Sequence, residues 1–134
     1  MIPKFITLLL NNNKVTIHNT GINKRSFLYI DDLINAIDII LFNDSTIGKI
    51  YNIGSEHEYS VLEIAYLLIY KIKKTTDYNK YIEYIPDRLY NDTRYLVDCN
   101  AIKQLGWSQN IDFETGIDIT IKNYSDIIMI IDQL

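Results

Sequence analysis

The sequence predicts one mixed α/β domain in which short strands are interleaved with four to five helices, and three observations carry that expectation. The hydrophobic pattern switches along the chain between the two-residue repeat of strands and the repeat of about 3.6 residues that marks helices. The 134 residues, 48% of them hydrophobic and 22% charged, suffice for a single packed core. With only two prolines and five glycines, neither a linker nor an internal repeat divides them.

Taken in order, Pro3 suits a first helical turn, and Phe5, Ile6, Leu8, Leu9 and Leu10 continue that helix to the asparagines at 11–13. Val15–His18 and Ser26–Ile30 read as short strands on either side of the turn-prone Asn19, Thr20, Gly21 and Asn23. Asp31 is placed to cap a helix reaching Phe42, in which Leu33, Ile34, Ile37, Ile40 and Leu41 recur at helical spacing. Lys49–Ile53 is the next strand, closed by Gly54. Ser60 with Glu63 three residues later forms a capping box ahead of VLEIAYLLIYKIKK. Tyr81–Ile85 alternates as a strand and Tyr95–Val97 adds another. Asp98 then caps a short helix that stops at Gly106, just before Trp107. A last helix starts at Asp112 and Phe113 and runs to about Tyr124, with Ile117, Ile121 and Tyr124 on one stripe, leaving 125–134 as a tail to a domain of residues 1–124.

Composition excludes several classes of function. Thirteen basic against seventeen acidic residues give a net charge of −4, so no general positive field exists for a nucleic acid backbone, and an anionic ligand must be met by a local site. No apolar run approaches the ~20 residues of a membrane span. The single cysteine, Cys99, cannot close an intrachain disulfide, and the first residues lack a secretory signal; a reduced, cytoplasmic chain is expected. His18 and His57 are far apart and neither stands at metal-ligand spacing with Cys99 or a carboxylate, so no metal site is expected. The five glycines never approach a dinucleotide or phosphate-loop fingerprint, so the chain is expected to hold no cofactor of its own. Cys99 reads as a small buried hydrophobe rather than a nucleophile. Tyr70 and Lys74 have the Tyr-x-x-x-Lys spacing, but the lysine belongs to the solvated end of an amphipathic helix, where a cation favours the helix dipole.

Only three of the thirteen cations are arginines, Arg25, Arg88 and Arg94, and where lysine is preferred for charge alone the remaining guanidinium forks are the ones to inspect. Two of them fall in Asp87–Asp98, DRLYNDTRYLVD, together with Asn91 and Tyr95. Planar forks beside neutral hydrogen-bonding groups suit a polar anion such as a nucleotide diphosphate; a surface loop whose charges satisfy one another has the same composition.

HNTGINKRSFLYIDDLINAI, KIYNIGS and DRLYNDTRYLVDCNAIKQLGW, in this order, resemble the C-terminal, substrate-binding half of nucleotide-sugar 4,6-dehydratases, which are extended short-chain dehydrogenases. The resemblance runs from about Ile2 to Tyr124. It implies a small substrate-binding domain without the Rossmann half, the part that carries the glycine fingerprint, the catalytic Tyr-x-x-x-Lys and the acid/base pair. NAD is therefore expected in the full-length family enzyme and not in this chain, which has no catalytic residue of its own and is expected to be inert alone. Met1 directly ahead of Ile2 and Pro3 suggests a split or truncated reading frame or an excised domain. DRLYNDTRY is similar to the Asn-Asp version of UDP-glucose enzymes, which makes UDP-glucose the first expected ligand and dTDP-glucose the second. By the same resemblance Ile2, Pro3, Thr16 and His18 lie at the nucleotide base. Arg25 and Arg88 reach the diphosphate side, with Asn91 and Tyr95 beside them. Arg94, Asn52 and Asp32 are expected to serve the scaffold. A separately encoded Rossmann half is the expected partner. The competing readings are a non-catalytic relic or interaction module, or part of a nucleotide-sugar epimerase or decarboxylase.

Overall fold

The computed structural model describes residues 1–87, 89 and 92–131. Five helices and five short strands follow one another as α1 (Ile2–Leu10), β1 (Val15–His18), β2 (Lys24–Ser26), α2 (Ile30–Leu41), β3 (Glu58–Ser60), α3 (Val61–Lys73), β4 (Ile82–Ile85), β5 (Arg94–Tyr95), α4 (Asn100–Lys103) and α5 (Phe113–Ile131). This is the mixed α/β class that the periodicity predicts. β1 and β4 form a parallel pair in which Val15 faces Ile82 and His18 faces Ile85. β2 is the centre of a second sheet, antiparallel to β3 and parallel to β5, with Arg25 opposite both Tyr59 and Tyr95.

The main core forms where α1, α3 and α5 pack around β1 and β4. Phe5, Ile6 and Leu9 of α1 meet Ile64, Ala65, Leu68 and Ile69 of α3, Val15 and Ile17 of β1, Ile82 of β4 and Ile117 of α5. Apolar residues at i, i+3 and i+4 put each helix's stripe on the same side, which is why these three helices share one interior. α3 begins where the sequence places it: Ser60 Oγ accepts the Glu63 N–H at 3.1 Å and the Glu63 carboxylate accepts the Ser60 N–H at 2.7 Å. The N–H of Ser60 is the main reason the Glu63 carboxyl is held below its ordinary pKa. The helix ends at Lys74, which adopts φ 54°. Its N–H still donates to the Tyr70 carbonyl at 3.1 Å and closes the last turn of the helix.

A second cluster, Ala36, Cys99, Ile102 and Trp107, joins α2 to α4. Cys99 is buried there, as its reading as a small hydrophobe requires. Asp32 fastens this cluster. It is 1% exposed, its carboxylate accepts the N–H groups of Asn110 and Ile111 at 3.0 Å each, and its own carbonyl accepts the Trp107 indole N–H at 2.9 Å. A buried carboxylate is tolerated because both oxygens find donors. Asp32 is therefore a scaffold residue, as is Arg94, whose Nε lies 2.9 and 2.7 Å from the two Glu58 carboxylate oxygens. That contact is the main reason the Glu58 carboxyl sits below its usual pKa and the Arg94 guanidinium above.

The structure departs from the sequence expectations in several places, among them β5, which covers Arg94–Tyr95 instead of 95–97, and β3 at Glu58–Ser60, which the sequence does not predict. Lys49–Ile53 joins no ladder, because among the described residues no strand lies alongside it. β2 covers Lys24–Ser26 instead of 26–30, set by its pairing with β3. Tyr29, not Asp31, precedes α2, and Asp31 lies inside the first turn. Cys99 rather than Asp98 is the residue before α4, although the Asp98 carboxylate does accept the Asn100 N–H at 2.7 Å. α5 continues past Tyr124 to Ile131.

Candidate functional site

The strand β1 organises the site through its pleat. Val15 and Ile17 point into the core while Thr16 and His18 take the opposite face, half-exposed. That face forms one wall of a cleft of about 410 Å³, whose other residues are Met1, Lys4 and Phe5 of the α1 end, Asn23, Arg25 and Phe27 around β2, and Val61. Thr16, His18 and Arg25 are thus brought together on one cleft. Helical spacing explains which part of α1 joins them: Met1, Lys4 and Phe5 are separated by three and four residues and share a side. Ile2 is turned away, packs against the main core and lines a separate small groove with Phe27, Tyr29 and Ile111. Pro3 is exposed in the first turn of α1, where its missing N–H costs nothing. Arg88 and Asn91 lie outside the described residues.

Arg25 is held from three sides. Its guanidinium donates to the Lys24 carbonyl at 2.6 Å and to the Asp92 carbonyl at 2.9 Å, and it stacks over the Tyr95 ring at 4.7 Å. The register of β2 against β5, Arg25 opposite Tyr95, creates that stack. Tyr95 does not line the cleft. Its hydroxyl donates to the Asp92 carboxylate, so it braces the arginine from behind. A guanidinium has five N–H donors, and two carbonyls leave others free for a ligand. Asn23 adds to the brace by donating to the Asp92 carbonyl at 3.1 Å.

His18 is oriented by the β1–β4 pairing, which brings its Nδ1 to 3.1 Å from the Pro86 carbonyl oxygen. Since a carbonyl only accepts, Nδ1 carries the hydrogen, which in a neutral ring leaves the acceptor lone pair on Nε2. The cleft therefore combines a hydroxyl at Thr16, an imidazole acceptor, an amide at Asn23 and two cations, Lys4 and Arg25. Among the described residues none that lines it is acidic. In a chain of net charge −4 this is a local concentration of positive charge, the arrangement an anion requires.

Lys4, Asn23 and Phe27 were not singled out from the sequence. For Lys4 a signal existed: it is the only charged residue in α1, IPKFITLLL. Asn23 reads as a turn residue and Phe27 as a strand hydrophobe, so neither announced itself. The described residues do not make a dinucleotide-binding loop. Gly21 sits in the turn between β1 and β2, where a Cβ would lie 2.7 Å from Ile17 Cγ2, and Gly54 packs against Val97. Neither opens a helix in a strand–loop–helix unit.

With the fold and cleft in place, the class of protein follows from comparison. Residues 1–120 match the GDP-mannose 4,6 dehydratase family, and the chain belongs to that family. More particularly, it is similar to the dTDP-D-glucose 4,6-dehydratase of Dictyostelium discoideum, 39% identical over 94% of this chain and 36% of that protein. The trifunctional UDP-glucose 4,6-dehydratase/UDP-4-keto-6-deoxy-D-glucose 3,5-epimerase/UDP-4-keto-L-rhamnose-reductase of Arabidopsis thaliana is 34% identical over 93% of this chain and 18% of its own length. The solved dTDP-glucose 4,6-dehydratase of Bacillus anthracis in complex with NAD superposes with a TM-score of 0.83 at 31% identity, over 93% of this chain and 39% of that one. This chain thus spans little more than a third of the dTDP-glucose relatives it matches. No described helix is long and apolar enough to cross a membrane.

Proposed function

We propose that this chain is the nucleotide-sugar-binding portion of a 4,6-dehydratase, and that its ligand is a pyrimidine nucleoside-diphosphate glucose. The observation that carries the reading is the cleft itself, in which Thr16, His18, Arg25 and Lys4 line one space where, among the described residues, the charged groups are all cationic. Arg25 and Lys4 suit the diphosphate, with Arg88 a third cation expected from the sequence; Arg25 brings a braced fork and Lys4 a mobile point charge. The Nε2 lone pair of His18 and the Thr16 hydroxyl suit the hydrogen-bonding edge of the base or the ribose.

The Asn-Asp form of DRLYNDTRY favours UDP-glucose, whereas the relatives near 39% identity are named for dTDP-glucose. Both ligands present a pyrimidine with an imide N–H, a diphosphate and glucose, and this cleft suits what they share. NAD would supply the hydride chemistry of a complete enzyme. It would be held by a part of the relatives' length that this chain does not match, since the described residues offer no dinucleotide loop. The role left to these residues is to bind and orient the sugar nucleotide, so the chain by itself is expected to be catalytically inert. Solved nucleotide-sugar 4-epimerases share the fold, which keeps an epimerase as the second reading; the 34–40% identities to dehydratases favour the first.

Titration calorimetry with UDP-glucose, dTDP-glucose and UDP tests the proposal. Weak binding of all three is expected, reduced roughly tenfold or more in Arg25→Ala and in Arg88→Ala, as removal of a charge-assisted hydrogen bond predicts. Lys4→Ala should weaken it less. Equal affinity of the native chain and both arginine variants would remove the site assignment. Turnover of UDP-glucose with NAD by this chain alone would overturn its passive role.

A further inference from the structure

β1 delivers to the cleft one side chain whose charge is not fixed. Lys4 and Arg25 bring permanent cations, whereas an imidazole gains its second proton between about pH 8 and 5. His18 is half-buried and lines the same space as both cations. Its Nδ1 faces the Pro86 carbonyl oxygen at 3.1 Å, a partner that can only accept, so Nδ1 keeps its hydrogen in either protonation state and the second proton belongs to Nε2. The pairing of β1 with β4 fixes this arrangement, because His18 lies opposite Ile85, the residue before Pro86. The ring is thus set in place before a ligand arrives.

The charges around the ring decide which form is favoured. α1 contributes Lys4, with the α-amino group of Met1 at the same mouth, and β2 contributes Arg25, with Lys24 before it. On β4, Glu83 lies opposite Thr16 and Tyr84 opposite Ile17. Asp87 follows Pro86, and the Asp92 carboxylate accepts the Tyr95 hydroxyl. Neither Glu83 nor these two aspartates line the cleft. In the empty cleft a third positive charge beside Lys4 and Arg25 is disfavoured; two negative charges brought into the same space reverse that balance.

We propose that an anionic ligand enters this cleft together with a proton, which settles on Nε2 of His18, so that the site holds a diphosphate ester more tightly as the pH falls from about 8 to about 6. The inference rests on the ligand reading above and adds to it a regulation of the same site. The protonated ring keeps its place beside the base or the ribose. Nε2, an acceptor toward an imide N–H or a hydroxyl when neutral, becomes a donor toward a pyrimidine carbonyl or a ribose oxygen. What changes is the number of cations in the cleft, from two to three. By linkage, ligand and proton raise each other's affinity by the same factor. A displacement of the ring's equilibrium by about half to one pH unit corresponds to a factor of roughly three to ten.

UDP-glucose is the probe, because both phosphates of its diphosphate are esterified and its charge stays constant over this range; UDP, with a free terminal phosphate, changes its own charge near pH 6. Titration calorimetry at pH 6, 7 and 8, in two buffers of different ionisation enthalpy, reads the affinity and the protons taken up. The native chain is expected to bind roughly three- to tenfold more tightly at pH 6 than at pH 8, with uptake of a fraction of a proton at pH 7. His18→Gln, which keeps a hydrogen-bonding side chain without an ionisable ring, should lose most of both effects. His57→Gln, in the separate hollow that Gly54, Lys103 and Trp107 line, should keep them. Every other titratable group near the cleft, the Met1 α-amino group included, is common to the native chain and His18→Gln, so the difference between them belongs to His18. Should His18→Gln fail to fold, an NMR titration of the native His18 ring with and without UDP-glucose decides alone: its midpoint must move to higher pH on binding. Affinity that is flat or falls toward pH 6, an absence of proton uptake, an unmoved midpoint, or an equal slope in His18→Gln would overturn the proposal and leave the ligand reading intact. An absence of UDP-glucose binding at all three pH values would remove that reading and the proposal with it.

Discussion

Replacing Asp32 by alanine tests whether one carboxylate joins the two halves of the molecule. Its oxygens accept from Asn110 and Ile111 at 3.0 Å each, and its side chain is buried. Hydrogen bonds to an ionised group contribute about 1.5–3 kcal/mol each, offset by the cost of burying the charge. Asn110 is exposed and Ile111 only half-buried, so water can satisfy part of what the substitution frees. The expected net loss is about 2–4 kcal/mol. Asp32→Asn should fare little better, since its amide nitrogen would face a backbone donor. Urea denaturation of both variants gives the stability change. Native-state exchange should show the Asn110 and Ile111 amides opening roughly a hundredfold more often in Asp32→Ala, the counterpart of about 3 kcal/mol. Unchanged exchange at those two amides would refute the clamp, whatever the global stability does.

Ser60→Ala removes one side of the capping box and should cost about 1 kcal/mol, seen as a lower urea midpoint with the same slope. Gly21→Ala should cost about 2–4 kcal/mol in the same assay, because Gly21 has φ 70° and a Cβ there would lie 2.7 Å from Ile17 Cγ2 and 3.2 Å from Leu62 Cβ. Stability should also fall with acid. The carboxyls of Glu56, Glu58, Glu63 and Asp112 are all held below their ordinary values, by Lys103, Arg94, Ser60 and Thr115 respectively. The unfolded chain therefore binds more protons in this range. Their contribution is complete above the ordinary carboxylate range and is lost as pH falls toward the depressed values, so the urea midpoint should hold at about pH 6 and drop by about pH 3. A midpoint that rises on acidification would reverse the sign of this account.

Much of the fold was legible because local chemistry and packing agree. The Ser60–Glu63 box starts α3 as read, and the alternation of Val15, Thr16, Ile17 and His18 set both the strand and its two faces. Where they disagree, reading along the chain failed. Lys49–Ile53 has strand-like residues but, among the described residues, no neighbouring strand, and a ladder is not a property of one segment. β3 is the reverse case: Glu58–Ser60 looks like a loop and becomes a strand because β2 lies beside it. α5 outruns its apolar stripe because an established helix propagates easily through Ile127 and Met129 without a buried face. Of the cleft's lining, Arg25 stands out in the sequence as one of three arginines, whereas Thr16 and His18 enter only through the family resemblance. The support that Tyr95 gives Arg25 from behind depends on the β2–β5 register, which the sequence does not display.

The division of β1 into an inner pair and an outer pair ties affinity to foldedness. A shift of its alignment with β4 by a single position would turn Thr16 and His18 inward and expel Val15 and Ile17, so no intermediate arrangement keeps the cleft while loosening the interior. Damage to either aliphatic side chain should accordingly surface as lost recognition as well as lost stability. A bound sugar nucleotide, for its part, would steady the strand on which the whole interior is assembled.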